Sequence, residues 1–282
     1  MPQQLPVLVR IALASERIRN TVERLQRLLS EEVLWAWTPP PQREAVNRAV
    51  YCGKDNYLPG GWVFEIGLFD WERAAFATPP FPSGGRILLG GAGGGRELRE
   101  LCGMGFDVVA FEPSERLCES ARQIVSAYPK STVVRASFGD LVTAVEQRTG
   151  PLAAHVLNTS FDAVLFGLAS FNYVFTESDR YALLRTARAI APRAPLLLSF
   201  LPGHQGAETG RLDRLRPLLR RLFELLKAPS SRRPGDRFML ENGFIHYLTL
   251  DEIRTVADRS GYRIVYCRQE TTPHPHALLM PQ

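Results

Sequence analysis

The chain is short of lysine: Lys54, Lys130 and Lys227 are the only lysines among 34 Lys and Arg residues, so arginine carries nearly all the positive charge. That bias, beside abundant Ala, Gly and Pro, fits a GC-rich coding sequence as well as it fits selection for phosphate. A net charge of +5 over 282 residues is modest, so nucleic acid is not the expected partner. Cysteine is sparse. Cys52, Cys102, Cys118 and Cys267 form no CxxC pair, which argues against a zinc knuckle or a disulfide framework and fits a reducing compartment. No apolar run approaches the roughly 20 residues that span a bilayer. The apolar stretch Leu5–Ala14 is split by Arg10 and follows no basic segment, so the expectation is a cytoplasmic protein without a secretory leader. Internal repeats and low-complexity tracts are also missing. What remains is ordinary globular composition, 45% hydrophobic and 22% charged, at a length that suits one α/β domain with extensions.

Apolar residues at helical spacing (Ile18, Val22, Leu25, Leu29, then Val33 and Leu34) predict a helix over 7–37, stopped by Pro39, Pro40 and Pro41. A Pro-rich joint at 78–85 separates this N-terminal part, residues 1–80, from the rest. From Arg86 the grammar alternates. Strands are expected at 86–90, 107–111, 132–136, 162–166 and 195–201, with helices between them near 95–104, 114–127 and 178–191. An insertion, residues 203–248, holds a basic amphipathic helix around Leu212–Leu226. Thr249 and Glu252 form a capping box for a helix ending at Gly261; a strand at 262–267 and a short antiparallel strand at 277–280 close the chain. The pattern specifies an α/β fold: a seven-stranded Rossmann-like sheet, mostly parallel with its last strand antiparallel, and helices on both faces.

The informative stretch is Arg86-Ile-Leu-Leu-Gly-Gly-Ala-Gly-Gly-Gly-Arg-Glu-Leu98. A strand ends, glycines at 91, 93 and 95 permit a tight turn, and a helix begins whose N-terminus favours anionic groups. The dinucleotide fingerprint G-x-G-x-x-G fails because Arg96 holds its third position; the spacing is G-x-G-x-G. Glu112 ends the next strand about twenty residues on, where an acid holds both hydroxyls of an unphosphorylated ribose.

With that loop, that acid and that strand layout, the segment from Arg86 to Met280 resembles the class I S-adenosylmethionine-dependent methyltransferases. The resemblance implies S-adenosylmethionine as cofactor, S-adenosylhomocysteine as product, and a methyl transferred by in-line displacement. It implies that Gly91, Gly93 and Gly95 pack against the methionine part and that Glu112 holds the ribose. Ser137, Phe138 and Asp140 would flank the adenine, and Phe166, Gly167 and Leu168 would lie near the sulfonium. Residues 81–282 would form the cofactor-binding domain. One departure stands out: Leu89 occupies the place where family members often carry an acid, so the cofactor's amino group needs another partner. A backbone carbonyl is one option; Glu97 is another, against the plainer reading of a solvent-facing helix residue. The segments 67–72, 235–236 and 244–248 also resemble a bacterial branch of this family, which names no substrate.

His246, at the end of the insertion, is the first candidate for a general base, against a structural histidine bonded to backbone. Asp236 would orient His246 or contact substrate, against capping a turn. Asn172 and Tyr173 follow the fourth strand, where acceptors sit in such folds, and Tyr57 and Trp71 would close over the site; for each aromatic the competing reading is core packing. His274 and His276 read as a surface tail and not as a metal site. The expectation is a methyltransferase acting on O or N of a small, planar molecule in secondary metabolism, with the N-terminal part and the insertion roofing the pocket. Two alternatives are an RNA or protein methyltransferase docking through the arginines of 211–226, and a non-catalytic S-adenosylmethionine-binding module.

Overall fold

A computed structural model describes residues 6–203, 211–230, 232–269 and 274–282, apart from the side chains of Ile11, Arg211 and Asp213. The part of the expected insertion at 204–210 lies outside them. Nine strands are described: β1 (Arg86–Gly90), β2 (Asp107–Phe111), β3 (Thr132–Val134), β4 (Ala163–Phe166), β5 (Leu196–Ser199), β6 (Asp236–Met239), β7 (Gly243–His246), β8 (Tyr262–Arg268) and β9 (His276–Pro281). Seven of them form one sheet in the order β3-β2-β1-β4-β5-β9-β8. β9 runs antiparallel to both its neighbours and the other ladders are parallel, as the sequence predicted.

The sheet sorts its side chains by strand periodicity. Leu88, Val164, Phe166, Leu196 and Leu198 point to one face, into a core shared with α7 (Phe138–Glu146), α8 (Ala153–Val156), α9 (Glu177–Ile190) and α11 (Leu250–Arg259). Ile87, Leu89, Leu165 and Leu197 point to the other, packing on α5 (Arg96–Gly103), α6 (Glu115–Val125) and α4 (Asp70–Phe76). Both faces are covered, so the central strands read as continuous apolar runs. Two capping boxes fix helix starts beside the sheet, Ser137 with Asp140 on α7 and Thr249 with Glu252 on α11. Only the second was anticipated.

The N-terminal part contributes α1 (Val7–Trp37), α2 (Pro40–Cys52), a 3₁₀ turn at Asp55–Tyr57, α3 (Trp62–Glu65) and α4. The apolar stripe of α1 is not its buried face: Ile18 and Val22 stay 66% and 57% exposed. Only the last turns pack, through Leu28, Trp35 and Ala36, because β6 and the helix α10 (Arg216–Leu225) meet α1 there. Glu32, 2% exposed, accepts hydrogen bonds from Arg216, Arg220 and Arg232, and Arg216 also reaches Glu31. The insertion is more than a helix. β6 and β7 form a two-stranded hairpin whose outer edge is bonded by Asn47 of α2: its Nδ2 donates to Phe244 O and its Oδ1 accepts from Phe244 N. N-terminal part and insertion therefore pack as one cap, but only its N-terminal share, within Pro40 to Tyr57, borders the cavity beside the glycine turn; none of the described residues of 203–248 does, so the insertion does not roof it as expected.

Candidate functional site

The site begins where β1 runs out. Gly91 N and Ala92 N both donate to Phe111 O, so the chain reverses against the end of β2. Gly91 has φ of +72°, and a Cβ there would fall 2.6 Å from Ser170 Cβ; no other residue type fits the turn without strain. Gly94 meets the carbonyl oxygen of Tyr57 closely enough that a side chain would displace it.

Glu112 follows β2 and is 6% exposed, yet its carboxylate is held from the backbone: Gly93 N donates to Oε2 at 2.9 Å and Ser114 N to Oε1 at 2.9 Å. Burial raises its pKa to about 7, against the lowering effect of these two hydrogen bonds. Each carboxylate oxygen accepts one such bond, which leaves a lone pair on each. Ser114 Oγ, buried beside it, has no hydrogen-bond partner among the described residues.

Behind the loop lies a buried ionic triad. Arg96 donates to both oxygens of Glu72 on α4 (2.6 and 2.7 Å), to Glu97 Oε1 (2.6 Å) and to Gly67 O (2.6 Å). Leu168 N also donates to Glu97 Oε1 at 3.2 Å. Two carboxylates share one guanidinium; burial, with Glu97 close by, raises the Glu72 pKa against the pull of Arg96.

These groups border a cavity of about 430 Å³, within the ordinary range for a small-molecule site. Its floor is the glycine turn with Glu97, Glu112 and Ser114; its walls include Ser137, Phe138, Val142, Leu168 and Ser170; its roof is Pro40, Arg48, Tyr51, Tyr57 and Tyr173. The Tyr51 and Tyr173 hydroxyls are 2.5 Å apart, and both phenols are pushed well above the usual tyrosine range, chiefly by burial. Among the described residues no group of three His, Cys, Asp or Glu side chains is arranged to hold a metal, and no helix is long and apolar enough to cross a membrane.

No protein-family model matches the sequence, and no curated protein matches it. Solved structures do. An S-adenosylmethionine-dependent methyltransferase from Clostridium acetobutylicum superposes with a TM-score of 0.51 at 10% identity, over 75% of this chain and 89% of that one. A second such enzyme, from Methanosarcina mazei, gives 0.50 at 16% identity over 76% and 96%. DesVI of Streptomyces venezuelae gives 0.50 at 14% identity over 78% and 92%. This chain has the class I methyltransferase fold.

On that fold the expected site residues separate into two groups. Gly91, Gly93, Glu112, Ser137, Phe138, Leu168, Tyr57 and Tyr173 all border the cavity. The others have different work. Gly95, at φ +100°, packs on α6, where a Cβ would fall 2.5 Å from Ile124 Cδ1; Gly94 takes its place at the cavity. Asp140 caps α7, accepting from Ser137 N and Oγ. Phe166 is fully buried beneath Phe138 and Phe171. Gly167 is not itself on the cavity surface, but its missing side chain leaves room beside Gly91 O and Glu97 Oε1.

Four corrections concern catalysis and substrate. His246 is 1% exposed and away from the cavity, with Nδ1 bonded to Asp236 Oδ1 (2.7 Å) and Nε2 to Glu252 Oε1 (2.9 Å). With both nitrogens held by carboxylates it has no free position for an acceptor's proton. Asp236 orients it, as one reading expected, but as part of a structural clamp between hairpin and α11. Asn172, fully buried, bonds Leu201 N, Leu201 O and His246 O. Trp71 is buried against the sheet and stacks on His276, 4.5 Å between ring centroids, so that His276 is not a surface residue either. Glu97 is 4% exposed, which overturns the plainer expectation of a solvent-facing helix residue. Tyr51 was missed: it sits on an apolar-polar mixed helix whose cavity face becomes visible only once α2 is docked.

Proposed function

We propose that this chain is an S-adenosylmethionine-dependent methyltransferase that methylates O or N of a small, planar acceptor, a reaction class typical of secondary metabolism. One observation carries it: a glycine turn with no room for a side chain at Gly91 or Gly94 faces the same cavity as a buried carboxylate whose two oxygens each keep a lone pair. Those oxygens suit the two hydroxyls of a ribose, and the unpartnered Ser114 Oγ adds a polar group beside them. Phe138, Val142 and Leu168 offer apolar surface for a base. Bound there, the cofactor supplies an electrophilic methyl group on a sulfonium sulfur.

The protein's own contribution is positioning and exclusion of water. Tyr51, Tyr57 and Tyr173 roof the cavity, and no histidine borders it among the described residues. The tyrosines keep their protons at neutral pH, since burial raises all three, so they do not deprotonate the acceptor; one proton of the Tyr51–Tyr173 pair is used between the two hydroxyls, which leaves the other member and Tyr57 to orient the acceptor as hydrogen-bond donors. An acceptor that arrives as a neutral amine or an ionised hydroxyl fits this arrangement. Docking of a polyanion through the arginines of 211–226 loses two of them, because Arg216 and Arg220 are committed to Glu31 and Glu32.

The test is thermal denaturation with S-adenosylhomocysteine, with NADH as control, on wild type and Glu112→Ala. Saturation at about a hundred times the dissociation constant adds about 2.7 kcal/mol, a midpoint rise of the order of 2–4 °C per kcal/mol. A rise with the homocysteine nucleoside alone, lost in Glu112→Ala, supports the reading; no rise for the folded protein overturns it.

A further inference from the structure

We infer that Glu97 holds the ammonium group of the cofactor's methionine moiety, in the role that an acid at position 89 would otherwise fill; this rests on the cofactor reading above. Leu89 is fully buried and belongs to the apolar core between the sheet and α5, so it offers the ligand nothing polar. Glu97 borders the cavity instead, in the first turn of α5, with only 4% of its surface exposed.

Its geometry is directed. Arg96 Nη2 and Leu168 N both donate to Oε1, which fixes the carboxylate at the end of β4. A Cβ built on Gly167 would lie 2.9 Å from Gly91 O and 3.2 Å from Glu97 Oε1. The absent side chain of Gly167 thus leaves the Gly91 carbonyl and the Glu97 carboxylate beside one small opening; Oε1 already accepts two bonds, so the ligand's donor falls to Oε2. Such a pair suits a group with several N–H donors and a positive charge.

The charges point the same way. Arg96 is gripped by both oxygens of Glu72, so with both carboxylates ionised the triad of Glu72, Arg96 and Glu97 carries one formal negative charge in excess. Glu112 adds a second carboxylate to the same floor. Arg48, the other guanidinium at the cavity, is on the roof and paired with Glu44. A buried excess of negative charge is costly unless a cation completes it. The ammonium of S-adenosylhomocysteine is such a cation. It is absent from 5′-methylthioadenosine, which keeps the adenosine and the sulfur.

The experiment is calorimetric titration of both ligands into wild type and Glu97→Gln. Glu97→Gln is expected to weaken S-adenosylhomocysteine by about 10- to 100-fold, the size of a lost hydrogen bond to a charged group. The affinity for 5′-methylthioadenosine should change less than threefold, which also shows that the variant's cavity is folded. Equal weakening of both ligands, or of neither, overturns the inference. A crystal structure of wild type with S-adenosylhomocysteine covers the case in which the variant does not fold. The amino nitrogen is expected within hydrogen-bond distance of Glu97, and a nitrogen bonded elsewhere overturns the inference. If neither ligand binds wild type, the cofactor reading itself falls; if S-adenosylhomocysteine binds and Glu97→Gln leaves its affinity intact, only the present inference does.

Discussion

Asp236 and His246 face each other across the β6–β7 hairpin, Oδ1 to Nδ1 at 2.7 Å, and the far ring nitrogen of His246 reaches Glu252 at the start of α11. The imidazole therefore ties the cap to the last helix of the sheet domain. His246→Gln is expected to cost about 2–5 kcal/mol, since it strands a buried carboxylate, and to leave S-adenosylhomocysteine affinity unchanged in the folded protein. The two hydrogen bonds outweigh burial and raise the histidine pKa, so its contribution is complete below the free value of 6.5 and fades as pH rises through the raised value. Glu252, held at about 2, contributes above 4.5 and loses that contribution as pH falls toward 2. The gap between wild type and variant should be widest between 4.5 and 6.5. Denaturant melts across pH read it directly, and a gap that widens at alkaline pH would contradict the clamp.

Glu112 titrates the other way for stability. Its pKa is raised from 4.5 to about 7, so the folded protein favours the proton and loses stability as pH climbs through that value. Whatever offset Glu112→Gln shows in acid, the difference should shift in favour of the variant, by a few kcal/mol, as pH rises from 4.5 through about 7. The same variant should weaken S-adenosylhomocysteine by about 10- to 100-fold. A flat difference with pH means that the carboxylate is not buried as described.

Gly94→Ala pushes a methyl group into the Tyr57 carbonyl, whereas nothing lies within 4 Å of a Cβ on Gly103 in the helix that follows. Gly94→Ala is expected to lift the Asp55–Tyr57 turn and weaken nucleoside binding about tenfold or more. Gly103→Ala should gain about 0.4–1 kcal/mol of stability with binding intact. Paired calorimetry and melting on the two variants separates a loop effect from a general loss of glycine.

The Tyr51–Tyr173 hydroxyl pair joins α2 to the turn after β4. Either Tyr→Phe change should cost about 1–3 kcal/mol by leaving one hydroxyl without its buried partner. The double variant should cost clearly less than the sum. Full additivity in a denaturant cycle would show that the two hydroxyls do not bond in solution.

The sheet is encoded in local patterns. β1 and β2 fall on the predicted residues, and the turn from Gly91 and the acid at Glu112 were legible, because strand periodicity and glycine chemistry are local. The antiparallel end of the sheet was likewise readable from the order of its elements. Whatever depends on which surfaces meet came from packing between distant segments. Whether α1 buries its apolar stripe depends on how far the hairpin and α10 extend along it, which no spacing within α1 encodes. His246 looked like a base because a histidine near a cap has the right chemistry; its role was settled by Asp236 across a hairpin and by Glu252 on another element. Glu97 shows the reverse case. Next to Arg96 in a helix it resembles any surface ion pair, and only the packing of Glu72, Gly67 and Leu168 around it makes it a buried carboxylate facing a cavity. Local physics sets backbone conformation, but burial, charge partners and access to a ligand are properties of distant segments brought together.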